Sequence, residues 1–160
     1  MSAVTIHHEA ERPTAVVHEV VPMPDLPAFF ARALSAVVAA TAEQGVAPVG
    51  PPFALYHGMP GPQGVDVEAG FPVTGEVHAA GAVVASRLPG GRVATAVHIG
   101  PYERLSDTYT AVCDEIVSAG LHPADQMWEE YLSDPATQPD PQTWRTVVHW
   151  PAMAGGAEPS

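Results

Sequence analysis

Gln126-Met127-Trp128-Glu129-Glu130-Tyr131-Leu132-Ser133-Asp134-Pro135 is the stretch that decides how this chain is read. Pro123 on one side and Asp134-Pro135 on the other bound a short aromatic run, which predicts a strand. Side chains alternate along a strand, so Glu129 and Tyr131 share one face, while Trp128, Glu130 and Leu132 share the other. A carboxylate beside aromatics on a half-buried sheet is costly unless something compensates it. Glu129 is therefore the first candidate functional residue. Glu130 is its rival, because a slip of one residue exchanges their faces.

An echo of this stretch lies in the first half of the chain. Adding 75 to a position carries Phe53 onto Trp128, Tyr56 onto Tyr131, Gly45 onto Gly120 and Pro48 onto Pro123. The same step carries Val37 onto Val112, Pro60 onto Pro135 and Val73 onto Val148. So many matches at one gapless offset predict two β-α-β-β units packed as a pseudo-twofold pair. A helix and three strands bury little alone, so the units are expected to fold as one domain. Glu129 falls on Ala54 in the first unit, which leaves the acid on one side of an otherwise near-symmetric pair.

The remaining patterns fit that duplication. Ala15 to Val21 is a Val-rich strand. Asp25 with Pro27 then opens a helix whose Phe30, Ala33, Leu34, Val37 and Val38 recur at helical spacing, ending near Gly45. Phe53 to Tyr56, Val65 to Val73 and Glu76 to Ser86 read as strands, and Leu88-Pro89-Gly90-Gly91 as a turn. In the second unit Arg92 to Ile99 is a strand. Gly100-Pro101 with Glu103 opens a helix with Leu105, Tyr109, Val112 and Ile116 as its apolar stripe, ended by Gly120. Thr143 to Trp150 is the last strand, with Trp144, Thr146, Val148 and Trp150 on one face. The fold class is α+β: duplicated units, an antiparallel sheet with two helices on one side, and a central groove. Residues 1–14 are expected to be a flexible segment and 152–160 a flexible tail. The domain runs over 15–151, with repeats at about 15–75 and 92–151.

Composition narrows the function. The chain has 160 residues, a hydrophobic fraction of 46% and a charged fraction of 15%, which suit a globular protein. Its formal net charge is -12 with six Lys plus Arg, none of them Lys, so direct nucleic-acid binding is not expected. An acidic surface also suits cationic small ligands. The single Cys113 excludes an internal disulfide, fits a reducing cytoplasmic compartment, and sits in an apolar helical stripe as a buried structural thiol. No signal sequence and no run near the ~18 apolar residues of a membrane span are seen, so no membrane association is expected. The Ala-, Val-, Pro- and Gly-rich composition is that of a high-GC bacterial source.

His98-Ile99-Gly100-Pro101-Tyr102, the helix to Gly120, Glu129-Glu130-Tyr131-Leu132-Ser133-Asp134-Pro135 and Thr146-Val147-Val148-His149-Trp150-Pro151 together resemble the GyrI-like small-molecule-binding domain. This is the effector-binding domain of AraC-type and multidrug-sensing bacterial regulators. Phe53 to Gly58 and Val65 to Val73 resemble that family's first repeat, and the likeness covers roughly residues 15 to 151. The resemblance implies a groove between the halves and a central Glu, in a Glu-x-Tyr pattern, that meets lipophilic and often cationic ligands. That Glu maps to Glu129, because Tyr131 fixes the register. The resemblance also implies that some stand-alone relatives hydrolyse reactive electrophiles with the same acid, and that others bind DNA gyrase or sequester toxic compounds. The family's regulators carry a separate helix-turn-helix domain, for which this chain has no spare length.

Three readings follow: a binder that senses or sequesters amphipathic, often cationic compounds; a hydrolase of reactive natural products using Glu129 as base or nucleophile; and a protein-protein module with an unknown partner. Tyr56 and Tyr131 are the best ligand contacts, because they share the strand face of Ala54 and Glu129; Tyr102, Tyr109 and Trp144 follow. Trp128 and Phe53 point the other way and read as packing under the helices. No Ser-His-Asp order, nucleophile elbow or His-Glu-x-x-His zinc signature occurs. His98 reads as structural, bonding backbone at the helix start. The other His residues, His7-His8 included, lack ligand spacing, so no metal and no cofactor are expected.

Overall fold

The computed structural model describes residues 4–58, 61–133 and 139–154. The chain divides into two compact units, Ala10–Pro89 and Gly90–Ser160 together with Met1–Glu9. The expected tail beyond Ala154 and the Pro60/Pro135 match lie outside the described residues.

In chain order the strands are β1 (Thr5–Glu9), β2 (Arg12–Val21), β3 (Phe53–His57), β4 (Val65–Pro72), β5 (Val83–Leu88), β6 (Gly91–Ile99), β7 (Leu121–Pro123), β8 (Gln126–Tyr131) and β9 (Arg145–Ala154). The helices are α1 (Leu26–Gln44) and α2 (Leu105–Ser118), each preceded by a short 3-10 turn. The first unit is β2-α1-β3-β4 plus β5, an antiparallel sheet ordered β3-β4-β2-β5. The second is β6-α2-β8-β9 plus β1, ordered β1-β6-β9-β8, with β7 beside the end of β9. The two β-α-β-β units thus share one internal topology, and the α+β class holds.

Each helix covers one face of its own sheet. In the first unit Phe29, Ala33, Val37, Ala40 and Thr41 are the buried positions of α1. They recur every three or four residues, as an amphipathic helix requires. The stripe begins at Phe29; Phe30 and Leu34 are half-buried and Val38 is exposed, so the helix is turned slightly from the expected register. In α2 Leu105, Val112 and Ile116 are buried and Tyr109 is half-buried. Gly45 and Gly120 end the helical segments with φ of 69° and 79°, where a Cβ would be strained. Met23–Gln44 is 22 residues with mean hydropathy 1.3 in its most apolar window, long and apolar enough to cross a membrane, which the sequence reading did not anticipate. Its periodic buried stripe is that of a helix packed on a sheet.

The duplication is real but not gapless. Leu26 and Leu105 open the two helices, 79 positions apart, whereas the glycines that end them are 75 apart. Ala54 pairs with Ala69 and Glu129 with Val148, so β3 and β8 correspond at 75 but β4 and β9 at 79. The Val73/Val148 match is therefore a coincidence. Val73 bridges Pro48 and Ala152 pairs with Pro123, so Val73 corresponds to Ala152. The second unit lacks four helical residues, about one turn, which leaves the buried face nearly in place. It regains four before β9.

Other expectations need correction. Residues 4–14, read as flexible, include β1, which pairs with β6, and the start of β2. Ala152–Ala154, read as tail, closes β9. The strand expected over Glu76 to Ser86 forms only from Val83. Asp25 precedes α1 but makes no side-chain cap bond.

Candidate functional site

β8 is built from alternating demands. Met127, Trp128 and Glu129 are all buried, so both faces of the strand are covered there. Glu129 sits opposite Val148, and Tyr131 opposite Thr146, on the sheet face that α2 covers. Trp128 sits opposite His149 on the reverse face, with the rings stacked at 4.9 Å and 7°. Trp128 is thus a buried aromatic as expected, but it does not lie under its unit's helix. By the same alternation Phe53 lies across β3 from Ala54 and Tyr56, whose partners Ala69 and Val67 are on the α1 side.

Glu129 is 2% exposed. The Tyr109 hydroxyl on α2 donates to its Oε2, and the Tyr131 hydroxyl donates to Oε1 at 2.8 Å. Among the described residues no Arg or His pairs with it. Burial pushes its carboxyl up to about 7, and the Tyr131 hydrogen bond offsets part of that rise. A group so placed is half ionised near neutrality, and can hold a cation or exchange a proton.

The surrounding aromatics are connected. The Tyr102 ring packs edge-on to Tyr131 at 5.9 Å and lies 4.8 Å from Trp144. Gly100 fixes that corner by donating its N–H to the Trp144 carbonyl at 2.8 Å. Tyr109 meets Trp150 edge-on at 6.0 Å. Thr146 Oγ1 is buried on the same face and has no hydrogen-bond partner among the described residues. Of the six expected contacts, Glu129, Tyr131, Tyr109, Tyr102 and Trp144 thus gather in the second unit. Tyr56 lies on β3 of the first unit, at the position that corresponds to Tyr131.

Glu130 answers the register question, since it faces away from the tyrosines. His149 Nε2 meets its Oε1 at 2.5 Å, and His149 Nδ1 meets Glu9 Oε2 at 3.3 Å. Burial disfavours the imidazolium, but the hydrogen bonds and charges of Glu130 and Glu9 outweigh it and raise the His149 pKa. The hydrogen bond from His149 in turn lowers Glu9. The sequence reading missed His149 and Glu9, because β1 was not expected to exist.

His98 is structural. Its Nε2–H donates to the Pro101 carbonyl and its Nδ1 accepts from Thr108 Oγ1, both at 2.9 Å, so both ring nitrogens are occupied. A cleft of about 570 Å³ opens nearby, lined by Ala96, His98, Glu103, Arg104, Thr108 and Gln142 among others; Glu129 does not line it. Cys113 is half-buried rather than buried, and burial, with Asp114, pushes its thiol up, which makes a poor nucleophile.

A family model for the GyrI-like small molecule binding domain matches residues 2–152. No curated protein sequence matches the chain. The crystal structure of the EcmrR C-terminal domain superposes with a TM-score of 0.82 at 18% identity, over 96% of this chain and 99% of that one. In the EcmrR-DNA complex the TM-score is 0.80 at 18% identity, over 96% of this chain but only 58% of EcmrR. SAV2435 bound to tetraphenylphosphonium gives 0.64 at 10% identity, over 94% and 93% of the two chains. A hydrolase from Listeria innocua gives 0.63 at 14%, over 93% and 91%. At such identities the likeness is one of fold.

Proposed function

Because the chain belongs to the GyrI-like small-molecule-binding domain family, we propose that it binds lipophilic cations, with the Glu129 carboxylate as counter-charge and Tyr131, Tyr109, Tyr102 and Trp144 as the aromatic wall. One observation carries this reading: a carboxylate 2% exposed whose hydrogen-bond partners among the described residues are tyrosine hydroxyls. A buried charge without a counter-ion is unfavourable. A bound cation relieves that penalty, and aromatic faces add cation–π attraction and contact area. Thr146 Oγ1 offers a further polar contact. The ligand reaches Glu129 only by displacing the tyrosines that close over it. The role is sensing or sequestration in the cytoplasm. With a net charge of -12 the chain has no cationic footprint for phosphate, and no nucleic-acid or membrane contact is proposed.

The test is a titration with tetraphenylphosphonium, the cation seen with SAV2435, read by tryptophan fluorescence and calorimetry. Glu129→Gln should fold and lose at least about 30-fold in affinity, as removal of a buried counter-charge does. The neutral triphenylphosphine oxide should be far less affected. Since the cation binds the ionised form, wild-type affinity should fall about tenfold from pH 8 to pH 6, and that dependence should vanish in the variant. Equal affinity in wild type and variant would remove Glu129 from the site.

The carboxyl pushed up to about 7 also favours a second reading, a hydrolase in which Glu129 acts as base or nucleophile and a tyrosine hydroxyl as acid. Turnover of a strained electrophile beyond one equivalent, lost in Glu129→Gln, supports it. Stoichiometric depletion alone supports binding.

A further inference from the structure

Among the described residues, the first unit carries a cluster that its duplicated partner lacks. On the face of β2, β3 and β4 turned away from α1, Glu68 pairs with His18 and with Leu55, and Asp66 with Val20. One further step along the β3–β4 ladder brings His57 beside Asp66. His18, His57 and Asp66 each offer a ligand atom, and these atoms lie within 4.8 Å of one another. His18 Nε2 touches Asp66 Oδ1, and the two imidazole rings are 5.1 Å apart.

Glu68 lies beneath them, 6% exposed. It accepts from Ser86 Oγ at 2.5 Å and contacts His57 Nε2 at 2.6 Å. As an acceptor it holds His57 as the Nε2–H tautomer, which leaves Nδ1 with its lone pair. A buried carboxylate behind an imidazole is the arrangement that orients metal-binding histidines. Two imidazoles and one carboxylate, with a coordination position left for water, suit a divalent ion of the zinc type.

We propose that His18, His57 and Asp66 bind a divalent transition-metal ion, with Glu68 as the positioning residue for His57. Ligands of a tetrahedral zinc site stand about 3.3 Å apart, so the touching His18 and Asp66 atoms part while the longer separations in the cluster shorten as the ion enters. The ion takes the place of the His18–Asp66 hydrogen bond, the imidazole carrying its one proton on the ring nitrogen that does not ligate, and it ties β2 to the β3–β4 hairpin. The site is independent of the cation reading of Glu129, which belongs to the other unit.

Calorimetry with zinc chloride alone tests it, together with Co(II) absorption spectra. Wild type should bind one ion with a tetrahedral cobalt spectrum. His18→Ala and His57→Ala should each weaken binding at least 100-fold. Glu68→Gln should weaken it about 10–100-fold while the direct ligands remain. His122→Ala, at an exposed histidine elsewhere, should change nothing. Absence of one-to-one binding would overturn the proposal. So would binding that survives the His18 and His57 substitutions but is lost on changing His7 and His8. Circular dichroism of each variant separates lost ligands from lost folding, and the retained tetraphenylphosphonium affinity keeps this outcome distinct from that of Glu129.

Discussion

β3 and β8 hold the same place in two units of one topology, yet β8 buries a carboxylate where β3 buries a methyl group. Ala54 pairs with Ala69 and is fully buried; Glu129 pairs with Val148 and is 2% exposed. Each strand places a tyrosine two residues on, Tyr56 and Tyr131. The helices differ more. Tyr109 reaches Glu129 from α2, while Phe30 and Leu34 stand at the comparable turn of α1 without a hydroxyl. The fold therefore does not require the acid. It tolerates the acid where two hydroxyls solvate it.

The largest effect should come from forcing the units to match. Ala54→Glu places a carboxylate in a fully buried position opposite Ala69. Desolvation and overpacking together should cost at least about 3 kcal/mol. Urea unfolding should show a midpoint far below wild type, or no cooperative transition. A loss below about 1 kcal/mol would mean that burial is not what separates the units.

The next effect is on pH. The folded Glu129 holds its proton up to about 7, against an ordinary value of 4.5, so between these values the folded state binds more protons than the unfolded one. Its stabilising contribution is complete below about 4.5 and is lost as pH rises through 7, a span worth about 3 kcal/mol. His149, raised in the same sense, adds to the decline above its unfolded value of 6.5. Glu9 is lowered and acts oppositely, losing its contribution as pH falls through its folded value. Thermal unfolding from pH 5 to 9 should show wild type declining and Glu129→Gln declining much less. The variant should be the more stable of the two at pH 8.5. Parallel curves would place the carboxylate in water instead.

The helices, most of the strands and the burial of Glu129 were legible because they rest on local patterns. Gly45 and Gly120 end the helical segments, and alternation puts Glu129 and Tyr131 on one face, though choosing that face over the one holding Glu130 took the family resemblance. What escaped depends on pairing between distant segments. β1 has no apolar signal of its own, since Thr5 to Glu9 are exposed or half-buried, and only its ladder with β6 makes it a strand. His149 gains its meaning from Glu9 and Glu130, and His18 from residues on two other strands. The gapless repeat misled because a missing helical turn is invisible to a fixed offset when the glycine ending the segment and the following strand move together.

The smallest effect concerns how the acid is held. Tyr131→Phe keeps the ring beside Tyr102 and removes one donor from Glu129. That donor favours the ionised carboxylate, so its loss should push the Glu129 carboxyl above the present value of about 7. Stability should fall by about 1 kcal/mol, the usual net worth of one hydrogen bond. Affinity for tetraphenylphosphonium at pH 7 should drop a few-fold and recover toward wild type at higher pH, where the carboxylate ionises regardless. A carbon-13 titration of the labelled glutamate carboxyl reads the shift directly. A downward shift would mean that Tyr131 does not donate to the ionised acid, leaving Tyr109 on α2 as the group that holds it.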